Sequence, residues 1–224
     1  YKPLRKLIQF VGKESVISER SGASEYQFIE QIMSNLLREK DKLRDRLELQ
    51  KTALRDSFLG RLLKGSITNR RMIAESCKIH EIKTIGDQFA VIIYHLANIG
   101  EHFSTEDPKD VQLINFVLKM TVEELANEHH YGLAAEVDGR ICCLINISKG
   151  REATAHLEII AIADKAAAFL EDKFGLSTTL AVSDIHVAVD GISRAYSESM
   201  EVIEYIAITD DFEPVMCYRT VFQY

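Results

Sequence analysis

The chain has 224 residues, 46% of them hydrophobic, which is enough for one good core and thin for two. No apolar run reaches about 18 residues and no signal-peptide pattern is present, so no membrane span is expected within this sequence. The net charge of −7 is uneven: residues 1–65 carry 14 Lys and Arg against 9 Asp and Glu, the remainder 13 against 25. An acidic body argues against a nucleic-acid surface, while the basic leader suits a solvated helix face or the neighbourhood of anionic lipid.

Residues 3–12, PLRKLIQFVG, begin with a proline suited to a first helical turn and predict a short amphipathic helix. KESVISERSGAS follows as a flexible joint. Ser24 and Gln27 then form a capping box that opens a helix running to about Lys64, where Gly65 is placed to stop it. A helix of about 40 residues is far above the globular mean and is expected to extend from a compact domain. Met33, Leu36, Leu43, Leu47 and Leu54 fit alternating a and d positions of a coiled coil. Lys40 and Gln50 interrupt that seam, and Ser57 stands at its next d position. A parallel dimer is expected through residues 28–54, whereas the C-terminal half fits equally well against the chain's own domain.

Beyond residue 66 the pattern changes. TNRRMIAESCKIHEI predicts a short helix, and the apolar, β-rich DQFAVIIYHLANI (87–99) a buried strand. Asp107 and Pro108 supply an N-cap and a first-turn proline for a helix through about His129. YGLAAEVDGRICCLINIS (131–148) reads as two alternating strands joined by Asp138-Gly139, a favoured two-residue turn. A helix over 152–174 ending at Gly175, a strand over 177–184, a helix over 187–208 and an extended C-terminal stretch complete the chain. The order β-α-β-β-α-β plus a helix is the ferredoxin-like split βαβ arrangement, an α+β fold with an antiparallel sheet and helices on one face. Cys77, Cys142, Cys143 and Cys217 have no zinc or CxxC spacing. They read as buried thiols in a reducing compartment, with Cys142 and Cys143 pointing to opposite faces of a strand.

This element order resembles the GGDEF domain of diguanylate cyclases, in which hairpin glycines admit the nucleotide and carboxylates on the hairpin and first strand hold two metal ions. The turn here is Val137-Asp138-Gly139-Arg140-Ile141, with no Gly-Gly before an acidic pair and a cation at Arg140. Tyr94-His95-Leu96, at the end of the first strand, also lacks an acid. Ions that neutralise charge in phosphoryl transfer need such acids, so cyclase activity is not expected.

DGISRAYSESMEVIEY (190–205) resembles the Leu-x-x-Ser-Tyr-x-Glu-Ala segment of degenerate GGDEF-like domains in CdaR-type and transmembrane AraC-type bacterial regulators. Ala195, Tyr196 and Glu198 match it, and Met200 replaces a small residue. ALRDSFLGRLLKG (53–65) and YKPLRKL are similar to two further segments of those regulators. The resemblance implies a membrane-proximal, HAMP-like segment (1–23), a signalling helix (24–65) and a degenerate GGDEF-like domain (66–224). It also implies a homodimer at the cytoplasmic face of the membrane, with membrane spans and a DNA-binding helix-turn-helix outside this chain.

No catalytic, cofactor-binding or metal residue is assigned. His129 and His130 lack a partner at metal-ligand spacing and fit a helix C-terminus instead. Ser183, Asp184 and His186 superficially evoke a hydrolytic triad but read as helix N-capping. Tyr196 reads as packing its helix on the sheet with its hydroxyl hydrogen-bonded. The function expected is non-enzymatic signal transmission and dimerisation in an AraC-type regulator. The alternatives are a small-molecule or nucleotide-binding regulatory domain and, further off, an active cyclase.

Overall fold

The computed structural model describes residues 51–100, 103–209 and 212–222, and in the segment before them positions 38, 40, 42, 47 and 50. The chain divides into two compact units, Tyr1–Gln50 and Lys51–Tyr224. In the first, Lys40, Leu47 and Gln50 of the expected seam are helical and exposed. Met33, Leu36 and Leu43 lie outside the described residues, as does the whole of the expected membrane-proximal segment, 1–23.

The second unit begins with helix α1 (51–63), followed by Lys64 and Gly65 in a turn. Phe58, Leu59, Leu62 and Leu63 are buried in the domain core, while Leu54, a turn earlier, is 61% exposed. Of the two readings open for this stretch, packing on the chain's own domain holds for residues 58–63.

α2 (Arg70–Ile79) starts at Asn69, whose side chain accepts from the backbone N–H groups of Arg71 and Met72. The sheet is built from β1 (Gln88–Asn98), β2 (Tyr131–Val137), β3 (Arg140–Asn146) and β4 (Ser177–Val182), with α3 (Pro108–Asn127) and α4 (Ala155–Phe174) between them. β5 (His186–Val187), α5 (Ile192–Thr209), β6 (Val215–Cys217) and α6 (Tyr218–Phe222) complete the chain. The strand order is β2-β3-β1-β4-β6, with β5 pairing with β1. β1 is central and antiparallel to both β3 and β4, which is the expected split βαβ topology. β6 adds a parallel strand beside β4.

The helices lie on both faces, not one. Ala90, Ile92 and Tyr94 of β1 share a core with Ile114, Leu118 and Val122 of α3 and Ile159, Ala163 and Leu170 of α4. Phe89, Val91 and Ile93, pointing the other way, pack with Phe58 and Leu63 of α1, Ile73 of α2 and Ile192, Ala195 and Val202 of α5. The unbroken apolar run in β1 is what a strand covered on both sides requires. Two further differences lie near the C-terminus: β5 is an additional short strand, and the extended stretch becomes a brief strand followed by a helical turn.

β2 is an edge strand, and α3 blocks it. Glu123 Oε1 accepts from the Ala134 N–H at 2.6 Å, and Asn127 both accepts from Gly132 N and donates to Gly132 O. Satisfying these outward-facing groups removes the template that an open edge offers to another strand.

Candidate functional site

The β2–β3 hairpin is the place at which the family resemblance puts nucleotide chemistry. Asp138 and Gly139 take φ of 51° and 75°, the paired left-handed conformation of a tight two-residue turn. Glycine adopts it without cost, and aspartate is one of the few residues with a side chain that tolerates it. Val137 and Ile141 on either side are buried and anchor the turn. Asp138 Oδ1 lies 2.6 Å from Lys64 Nζ, just past the end of α1, in an exposed ion pair. Glu136 Oε2 accepts from Asn115 Nδ2 of α3 at 3.0 Å. Both acids at the tip are thus engaged by the protein's own side chains.

Across from the hairpin, the imidazole of His95 on β1 stacks on Phe212, with ring centroids 5.7 Å apart. Burial and the nearby Arg140 charge together hold its pKa below the ordinary histidine value. The charge beside this histidine is the cation of Arg140, which repels a metal ion. Among the described residues no group of three or more His, Cys, Asp and Glu is placed to hold a metal ion.

The polar residues that the fold does bring together lie elsewhere, where β4 ends against α5. Glu198 is 3% exposed. Its Oε2 accepts from the Asp184 N–H at 3.0 Å and lies 2.8 Å from His186 Nε2. Its Oε1 is 3.3 Å from Arg194 Nε, one turn back on α5. Asp184 Oδ1 in turn faces Arg219 Nε of α6 at 3.2 Å.

Ser183 Oγ accepts from Val91 N and donates to Asp184 O, while Ser199 Oγ donates to Val91 O. Ser183, Asp184 and His186 therefore cap no helix, contrary to the sequence expectation. Ser183 and Asp184 lie in the break after β4, and the chain re-enters the sheet at β5, which begins with His186. Nor are they a hydrolytic triad: the Ser183 hydroxyl is committed to backbone, and His186 pairs with Glu198. Ala188, at φ 64° and ψ 163°, closes the loop in a conformation that costs a residue with a side chain about 1–3 kcal/mol.

Of the motif positions on α5, Ala195 is fully buried and lets the helix approach the sheet. Tyr196 packs against the same core, as expected. Its hydroxyl makes no hydrogen bond to the described residues, so the expected partner is not found. Burial, with Cys142 and Asp138 adding to it, pushes its pKa up to about 12, so the phenol stays protonated. Glu198 is the functional surprise. Sequence reading marked it as a motif match and a tempting site residue without foreseeing its partners, and the signal available was an acid between two apolar core positions, Ala195 three residues before it and Val202 four after.

His129 and His130 follow α3, and both backbone N–H groups return to Ala126 O. The His130 ring does not simply face the helix end. It is buried, with Nε2 3.0 Å from Glu158 Oε2 near the start of α4. Arg151 and Thr154 also bind that carboxylate, at 2.9 and 2.7 Å. Burial lowers the His130 pKa, and the Glu158 charge opposes the shift.

Cys142, Cys143 and Cys217 are buried free thiols and Cys77 is half-buried. Cys142 and Cys143 fall in opposite cores, and burial raises the Cys142 pKa to about 12, leaving it inert as a nucleophile. A cavity of about 30 Å³ sits between Leu62, Ile73, Cys77, Phe89 and Ile192. That is room for a water, whereas a ligand pocket needs about 300 Å³ or more.

A split βαβ sheet covered on both faces, with a two-residue hairpin between β2 and β3, is consistent with a GGDEF-like α+β core. The chain matches the family model of the GGDEF-like domain over residues 69–205, and it belongs to that family. It is also similar to an uncharacterized HTH-type transcriptional regulator, YtdP, of Bacillus subtilis (strain 168), with 23% identity over 212 residues. The match covers 92% of this chain and 26% of that protein, so the chain spans about a quarter of its relative's length. No helix among the described residues is long and apolar enough to cross a membrane.

Proposed function

We propose that this chain is a non-enzymatic signal-transmission and dimerisation module of a membrane-bound, AraC-type transcriptional regulator. In this reading an extracellular sensor moves the membrane-proximal segment, and the long helix carries the movement. The GGDEF-like domain then sets the geometry of a DNA-binding helix-turn-helix outside this chain. Such a relay requires two states separated by a few kcal/mol, and a seam interrupted by Lys40 and Gln50 suits that better than a perfect zipper.

The observation that carries the proposal is the hairpin tip, where Asp138 is paired with Lys64 and the neighbouring residue is Arg140. The likeness to an HTH-type regulator supports the regulatory half of the reading. The test is a transcriptional reporter driven by the full-length regulator. Leu43→Glu, which puts a charge in the proposed seam, should uncouple stimulus from output, and Arg140→Ala should leave the response unchanged. The reverse pattern would place function on the hairpin and overturn the proposal.

A further inference from the structure

Helix α3 presents a stripe of large apolar side chains to solvent. Leu113, Phe116 and Met120 are 48%, 60% and 39% exposed, although Ile114, Val117 and Leu118 of the same helix are buried in the core. Lys109 stands one turn before the stripe and Glu124 one turn after it, both exposed. Neither has an ion-pair partner among the described residues. At 3.6 residues per turn the five positions fall within an arc of about 80° and extend over about 22 Å of helix.

Their order is symmetric. Lys109 and Glu124 are equally far from the midpoint between residues 116 and 117, and so are Leu113 and Met120. An isologous two-fold contact needs this pattern, because each residue i that meets j must be matched by j meeting i. Two copies of α3 laid antiparallel across that midpoint place Phe116 beside Phe116 at the axis. Leu113 then lies over Met120, and each Lys109 meets a Glu124 of opposite charge. A parallel arrangement, or a partner of unrelated sequence, makes no use of the symmetry.

We infer that the α3 face is a docking surface for a second copy of this chain, packed antiparallel about Phe116. This inference rests on α3 alone and is independent of the signalling reading and of the seam through residues 28–54. A single helix pair of this length buries less than the roughly 800 Å² per partner of a standard interface, so the association is weak and concentration-dependent.

The test is sedimentation equilibrium of the 224-residue chain carrying Leu43→Glu, which removes association through the seam and serves as the parent here, at low salt, where surface charge pairs are least screened. The parent is expected to show a monomer–dimer equilibrium, and Phe116→Asp to weaken it at least about tenfold. Lys109→Glu and Glu124→Lys, which bring like charges together, should each weaken it about threefold. An equimolar mixture of those two variants should recover the parent affinity, because only the mixed dimer restores both opposite-charge pairs. All these positions are exposed, and urea unfolding checks that each variant keeps the parent stability. If Phe116→Asp fails to fold, the charge-swap mixture alone decides. A parent that stays monomeric at every concentration overturns the inference. So does a dimer insensitive to Phe116→Asp, or a mixture no tighter than its components.

Discussion

At the β2–β3 turn the charged residues stand in solvent and pair singly, Lys64 and Asp138 being 40% and 66% exposed. Where β4 ends against α5, by contrast, a carboxylate that is 3% exposed collects a backbone N–H, a histidine and an arginine. The first arrangement can be exchanged at little cost, since exposed pairs contribute about 0–1 kcal/mol. The second cannot, because removing the carboxylate leaves the buried Asp184 N–H without its acceptor. The fold thus places these buried polar groups where they hold α5 and α6 against the end of β4. At the hairpin the two acids, Glu136 and Asp138, are each held by one side chain, Asn115 and Lys64.

The largest effect should come from breaking the buried half of this comparison. Glu198→Ala leaves the Asp184 N–H without an acceptor and is expected to cost about 3–5 kcal/mol, read as a shift in the urea midpoint. A loss comparable to that of an exposed pair would mean that the carboxylate is not structurally committed. A second variant pair tests how α1 joins the domain. Leu63→Ala should cost about 2–5 kcal/mol as a core truncation, and Leu54→Ala no more than about 0.5 kcal/mol. Equal effects would show that residues 51–54 and 58–63 share one environment.

The third effect is on pH dependence. Burial lowers the His130 pKa in the folded chain, so the unfolded chain binds that proton more readily. Its contribution is therefore complete above the unfolded value of about 6.5 and is lost as pH falls through it toward the folded pKa. Glu158, held below its ordinary value first by the Thr154 hydroxyl, contributes in a lower window, as pH falls through the carboxylate range. His130→Gln should flatten the melting temperature between about pH 7 and pH 5, and an unchanged slope would assign it to other groups. The smallest effect should be that of Arg140→Ala, expected within about 0.5 kcal/mol of the parent by urea unfolding.

The strand order was legible in the sequence because each element carried its own signal. Asp107-Pro108 opened α3, Asp138-Gly139 made the hairpin, and Gly175 ended α4 in a left-handed conformation at φ 64°. What was not legible depends on contacts distant in sequence. Helices on the second face follow from the two-sided apolar run of β1, which alone does not say what covers each side. The role of Ser183, Asp184 and His186 required Val91, Glu198 and Arg219, up to 92 residues away, to be brought beside them. Local reading saw polar residues before a helix and inferred a cap. In the same way His130 looked like a helix end until Glu158 arrived from α4.

The most direct test of the claim that the hairpin carries no chemistry is incubation of the pure chain with GTP and magnesium or manganese, with nucleotides resolved by chromatography. The expected result is unchanged GTP at every metal concentration. Formation of a cyclic dinucleotide that disappears when Asp138 and Arg140 are replaced together would contradict it.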